Sequence, residues 1–121
     1  MITPEFIPAA GACLVSQNVL SGAGRVRWMV RNESQAEADN GWRIFSEIDT
    51  SEYLQDSGNL QIIDFNEACA IEPALIGIWD FEVGADLELV REEDGSIHII
   101  DGASGREVPR ENFYVPPQHR A

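Results

Sequence analysis

The stretch Asn40-Gly41-Trp42-Arg43-Ile44-Phe45-Ser46 constrains the fold more than any other part of the chain. An Asn-Gly pair favours a turn, because both residues tolerate positive φ. The residues after it alternate with the period of a β-strand. Trp42, Ile44 and Ile48 fall on one side, and Arg43 and Phe45 on the other. Trp42 and Phe45 are expected in the core. Two further apolar stretches, Arg25–Arg31 and Leu60–Phe65, flank this strand and make it the centre of a small sheet.

The remaining elements are short. Residues 1–10 form an extended arm, with Pro4 and Pro8 around Phe6 and Ile7. Gly11–Val15 is a buried strand; Ser16 caps a helical turn over Gln17–Leu20, and Gly22 ends it. In Arg25–Arg31 the alternation places Val26, Trp28 and Val30 inside, with Arg25, Arg27, Met29 and Arg31 on the open side, where the arginines pair with carboxylates across strands. Asn32–Asn40 is a polar connection. Asp49 is positioned to cap a helix over Thr50–Gln55, with Glu52 completing a capping box. Leu60–Phe65 is long enough for a buried strand. Asn66 caps a helix over Glu67–Ile71, and Pro73 suits the first position of another turn. Asp94-Gly95 between Leu87–Arg91 and Ile97–Ile100 is a hairpin signal.

Together these predict an α+β domain: a small, mostly antiparallel sheet of about five or six short strands with two or three short helices. No helical segment is long enough for regular parallel crossovers. The expected organisation is an N-terminal arm over 1–10, one domain over 11–115 and a flexible tail over 116–121.

The chain has 121 residues, enough to fold without a disulfide or metal. It carries 21 acidic and 8 basic residues, a formal net charge of −13, and every basic residue is Arg. Such a charge repels nucleic acid and anionic membranes and attracts basic proteins. Cys13 and Cys69 sit among small apolar residues, where buried free thiols are the norm. The N-terminus lacks the basic and apolar regions of a secretory signal, and no run of 18 apolar residues occurs; a cytoplasmic location is expected.

No catalytic kit is visible. His98 and His119 are isolated, no His/Cys cluster has zinc spacing, and no phosphate-binding loop is present, so neither an enzyme nor a cofactor is expected. Carboxylates concentrate in Glu47–Asp56, where Asp49, Glu52 and Asp56 surround Tyr53. An acidic patch with an aromatic anchor, and Arg43 nearby, has the composition of a protein-binding surface.

Five motifs occur in order: Cys13-Leu14-Val15-Ser16-Gln17-Asn18-Val19-Leu20, Trp28-Met29-Val30-Arg31, Gly41-Trp42-Arg43-Ile44-Phe45-Ser46, Tyr53-Leu54-Gln55-Asp56 and Ile63-Asp64-Phe65-Asn66. Across roughly residues 11–100 they resemble a bacterial domain family that is also classed among the immunity proteins of polymorphic toxin systems, immunity protein family thirty-three. The resemblance implies a small acidic protein that binds and inhibits a toxin, a basic toxin domain being the partner that the charge would favour. The alternative is a stand-alone housekeeping or regulatory domain that binds a small ligand or another protein, with an apolar pocket near Trp28 or Trp42.

Overall fold

The computed structural model describes residues 4–120; Met1–Thr3 of the expected arm and Ala121 of the expected tail lie outside the described residues. The strands are β1 (Ala12–Ser16), β2 (Val26–Arg31), β3 (Asp39–Ser46), β4 (Leu60–Asp64), β5 (Asp86–Arg91) and β6 (Ile97–Asp101). The α-helices are α1 (Gln17–Ser21), α2 (Ser51–Gln55) and α3 (Phe65–Ile71), with short 3-10 turns between. The six strands form one mixed sheet in the order β4-β1-β3-β2-β5-β6. Only β1 and β3 run parallel; the other neighbours are antiparallel. The fold is therefore α+β with a mostly antiparallel sheet, and β3 lies inside it as expected.

The Asn40-Gly41 pair is not a turn. It lies within β3, where the register against β1 steps from Ala12↔Asp39 to Leu14↔Arg43. Two residues on β1 thus face four on β3, which is a bulge. Gly41 has φ +90, and its backbone passes so close to Asn32 that an added β-carbon would run into the Asn32 carbonyl. The Gly41 carbonyl in turn accepts the Asn32 N–H at 2.8 Å. After the bulge, Trp42, Ile44 and Ser46 point to the inner face and are fully buried. Phe45 lies on the opposite face and is only half-buried, and Ile48, beyond the strand, is exposed rather than continuing the buried row.

A second irregularity reverses the expected facing of β2. Val26 pairs with Ser46 and Trp28 with Phe45, so Arg27 is an extra residue. Val26 and Met29 become the buried residues, while Trp28 turns outward at 40% exposure. Arg31, expected on the open side, lies inside: its guanidinium donates to the Asn40 and Phe81 carbonyls and sits 5.8 Å from the Trp42 ring centre. Arg27 does pair across strands as expected, with Glu88 on β5.

The inner face carries the core. Val15, Met29, Trp42, Ile44 and Leu89 from the sheet meet Phe65 and Cys69 of α3 and Leu75 and Ile78 of the following 3-10 turn. Each fully buried large side chain contributes roughly 1.5–3 kcal/mol. The Trp42 indole donates to the Trp79 carbonyl at 3.0 Å, and the Trp79 indole donates to the Ala10 carbonyl at 2.9 Å. The arm is fixed by Asn66, whose side-chain oxygen accepts the N–H groups of Phe6 and Ile7 and whose amide donates to the Ile7 carbonyl. Asn66 is therefore an arm anchor, and Asp64 supplies the cap of α3. Likewise Thr50, not Asp49, caps α2. Leu60–Asp64 forms the edge strand β4, with only Ile63 buried, because its outer side has no neighbouring strand. Ser16 and Gly22 bound α1 as expected.

Gly41→Ala is expected to destabilise the domain by about 2–4 kcal/mol, through both left-handed strain and the clash. Gly84→Ala shares a positive φ but meets open space, so it should cost only about 1–2 kcal/mol. Urea unfolding of the two variants separates the contributions; equal losses would contradict the close approach.

Candidate partner-binding surface

Helices and core cover one face of the sheet; the other presents two side-chain rows set by the register. One row runs Ile62, Leu14, Arg43, Val30, Asp86; the next runs Leu60, Ser16, Phe45, Trp28, Glu88, Ile100. Leu14, Val30, Phe45 and Ile100 are half-buried, Trp28 is 40% exposed and Ile62 is 70% exposed. Neighbouring apolar side chains left accessible on one face form a patch, unlike the scattered surface apolars of most domains.

Two arginines in the middle of this face, Arg43 and Arg27, are neutralised within the chain. Arg43, 7% exposed, places its guanidinium on the two carboxylate oxygens of Asp39 at 2.9 and 2.8 Å and also donates to the Trp42 carbonyl. The Arg43 hydrogen bonds hold the Asp39 carboxyl well below the usual carboxylate range, helped by the N–H groups of Gln35 and Gly41. Arg27 lies 5.1 Å from the Trp28 ring centre and donates twice to one carboxylate oxygen of Glu88. Asp64 and Asp86 occupy positions on the same face, and neither belongs to an ion pair among the described residues.

The residues expected to meet a partner separate into two groups. Arg43 is engaged by Asp39. Asp49 accepts Ser16 Oγ at 2.9 Å, Asn18 Nδ2 at 2.7 Å and the Ser46 N–H at 2.7 Å. Burial alone would raise the Asp49 carboxyl; these hydrogen bonds outweigh it and hold the group below its ordinary value. Glu52 and Asp56 are exposed, and Tyr53 is half-buried. Asp49 ties the start of their segment to Ser16, a position in the second outer row. The acidic segment thus adjoins the apolar patch at the β1–β3 end. Nothing local in the sequence signals the outward turn of Trp28, since β2 contains no Gly or Pro to mark its bulge. Asp39 and Arg43, four apart, share a face of any regular strand but would stand about 13 Å apart there; the bulge between them closes that distance to an ion pair.

Other reactive groups are held by the fold. Cys13 and Cys69 are free and buried, and burial pushes both thiols up to about 12, which suppresses the reactive thiolate. His98 lies on edge strand β6 with Nδ1 2.9 Å from Glu107, whose carboxylate raises its pKa. Among the described residues no group of three or more His, Cys, Asp or Glu is arranged for a metal, and no helix is long and apolar enough to cross a membrane. A groove of about 900 Å³ opens between Asp80–Ala85 and the segment 101–112, and one of about 480 Å³ lies beside Ile62, Asp64 and Glu67. Neither is lined by Trp28 or Trp42, where a ligand pocket was expected.

The chain is thus a small α+β domain with helices against one face of a six-stranded sheet. Residues 13–101 match the model of the Immunity protein Imm33 domain. The chain is a member of that family, as its motifs implied. No curated protein and no solved structure shows significant similarity to it.

The Asp39–Arg43 pair gives a pH signature. A depressed carboxyl stabilises fully above its unfolded value, near 3.9, and its contribution is lost as pH falls through the folded value. Asp39→Asn is therefore expected to cost about 3 kcal/mol at neutral pH, by leaving a buried guanidinium poorly paired. The gap to wild type should shrink steadily in urea titrations taken from about pH 5 towards about pH 2. A gap independent of pH would contradict the pair.

Proposed function

We propose that this protein is an immunity-type inhibitor that acts in the cytoplasm by binding a toxin domain and blocking its action. The observation that carries the reading is membership of the immunity family over residues 13–101. The charge supports it. At a net −13, the chain attracts a basic toxin over long range.

Within this reading, Glu52, Tyr53 and Asp56 touch the partner from the acidic segment, with Tyr53 as anchor. Arg43 and Asp49 contribute from behind. Arg43 fixes the sheet face through Asp39, and Asp49 holds the segment against Ser16 and Asn18. No step of bond chemistry is required of the inhibitor; occlusion of the toxin suffices.

The neighbourhood of the gene is expected to encode the target, and co-expression with a toxin domain found there tests the reading; a neighbourhood without one counts against it. The wild-type chain should rescue growth and co-purify with that domain. The double variant Glu52→Arg/Asp56→Arg should slow association about tenfold or more and weaken its salt dependence. Unprotected cells, together with no binding by the folded wild-type protein, would refute the reading.

A further inference from the structure

We infer that the uncovered sheet face is the docking surface, and that its occupant is a toxin domain presenting an apolar patch ringed by Lys and Arg. This rests on the immunity reading above and adds where and how the partner is held.

Three features of the face support it. First, Trp28 and Phe45 pair across β2 and β3, Leu14 and Ile62 pair across β1 and β4, and all four remain partly or largely accessible. Trp28 also carries Arg27 against its ring, and Trp and Arg are residue types that dominate interface energetics. Second, the two arginines in the middle of the face are already paired. Arg43 is held by Asp39 and Arg27 by Glu88, so the charge offered outward is that of Asp64 and Asp86, with Glu52 and Asp56 on the flank. An apolar centre within an acidic rim is complementary to an apolar centre within a basic rim. Third, the face is preorganised. Bidentate pairing of Arg43 and the bulge at Gly41 fix its middle strand, so little ordering entropy is lost on binding.

The same charges argue against a second copy of the chain as occupant. Two copies meeting through this face would oppose their acidic rims, each molecule at net −13. The groove of about 480 Å³ beside Ile62, flanked by Asp64 and Glu67, continues the surface around the β4 edge and has the charge to receive a Lys or Arg side chain of the partner.

The test uses the full chain and an inactivated form of the toxin domain that the co-expression experiment identifies, with affinity and rates read by biolayer interferometry. Ile62→Glu alters a side chain that is 70% exposed and Trp28→Ala one that is 40% exposed and outside the core, so the fold should persist, as circular dichroism and thermal unfolding will report. Each is expected to weaken affinity at least about tenfold, chiefly through faster dissociation, and the pair at least about a hundredfold. Ile71→Glu, on an exposed position of α3 away from the sheet face, is expected to bind as wild type does. Wild-type binding that survives Trp28→Ala and Ile62→Glu, or that Ile71→Glu weakens equally, overturns the docking face and leaves the immunity reading intact. Failure of the folded wild-type chain to bind the toxin overturns both. A wild-type dimer in light scattering that Ile62→Glu dissociates would make the face a self-association surface and overturn the proposed occupant.

Discussion

The close passage of Gly41 beside the Asn32 carbonyl is the constraint on which the arrangement depends. It allows β3 to absorb two extra residues against β1 and still pair with β2. The phase of the strand follows from it. Trp42, Ile44 and Ser46 go to the core, and Arg43 and Phe45 go to the open face. A shift of one residue would exchange these sets, burying an arginine among apolar side chains and exposing the largest core residue. Trp42 then organises the inner side. Arg31 lies across its ring, the Trp79 carbonyl takes its indole proton, and the Trp79 indole reaches back to Ala10, joining arm, sheet and turn.

The same phase shapes the outer face electrostatically. A strongly acidic chain with few cations places two of its eight arginines there and satisfies each with a carboxylate from a neighbouring position. The partly buried Arg43–Asp39 pair fixes geometry more than it adds stability, since desolvating both ions offsets much of their attraction. What remains outward is apolar surface and unpaired acid. A folded domain gains nothing by exposing Trp28 and Ile62, whereas a binding surface does.

Much of the architecture was legible because it rests on local signals. Ser16 and Gly22 around α1, Pro73 at its turn, and Asp94-Gly95 in the β5–β6 hairpin follow from caps and turn chemistry. Most of the misses share one cause: bulges and long-range side-chain bonds leave no periodic trace. Arg27 as an extra residue reversed the facing of β2, and Asn40-Gly41 was turn chemistry used inside a strand. Asp49 and Asn66 have the residue types of helix caps but serve as long-range clamps, while Thr50 and Asp64, one and two positions away, do the capping. Of the expected contact residues, Glu52, Tyr53 and Asp56 reach the surface, while Arg43 and Asp49 support it from within. The apolar patch beside them required the register to be known.

The central claim, that the open sheet face receives the partner, is tested most directly by the indole N–H resonances of the three tryptophans during titration with the inactivated toxin domain. Trp42 and Trp79 donate to the carbonyls of Trp79 and Ala10, so their signals should hold their positions, whereas Trp28, 40% exposed, should shift strongly and saturate with binding. A complex that forms while the Trp28 signal stays fixed would contradict the account.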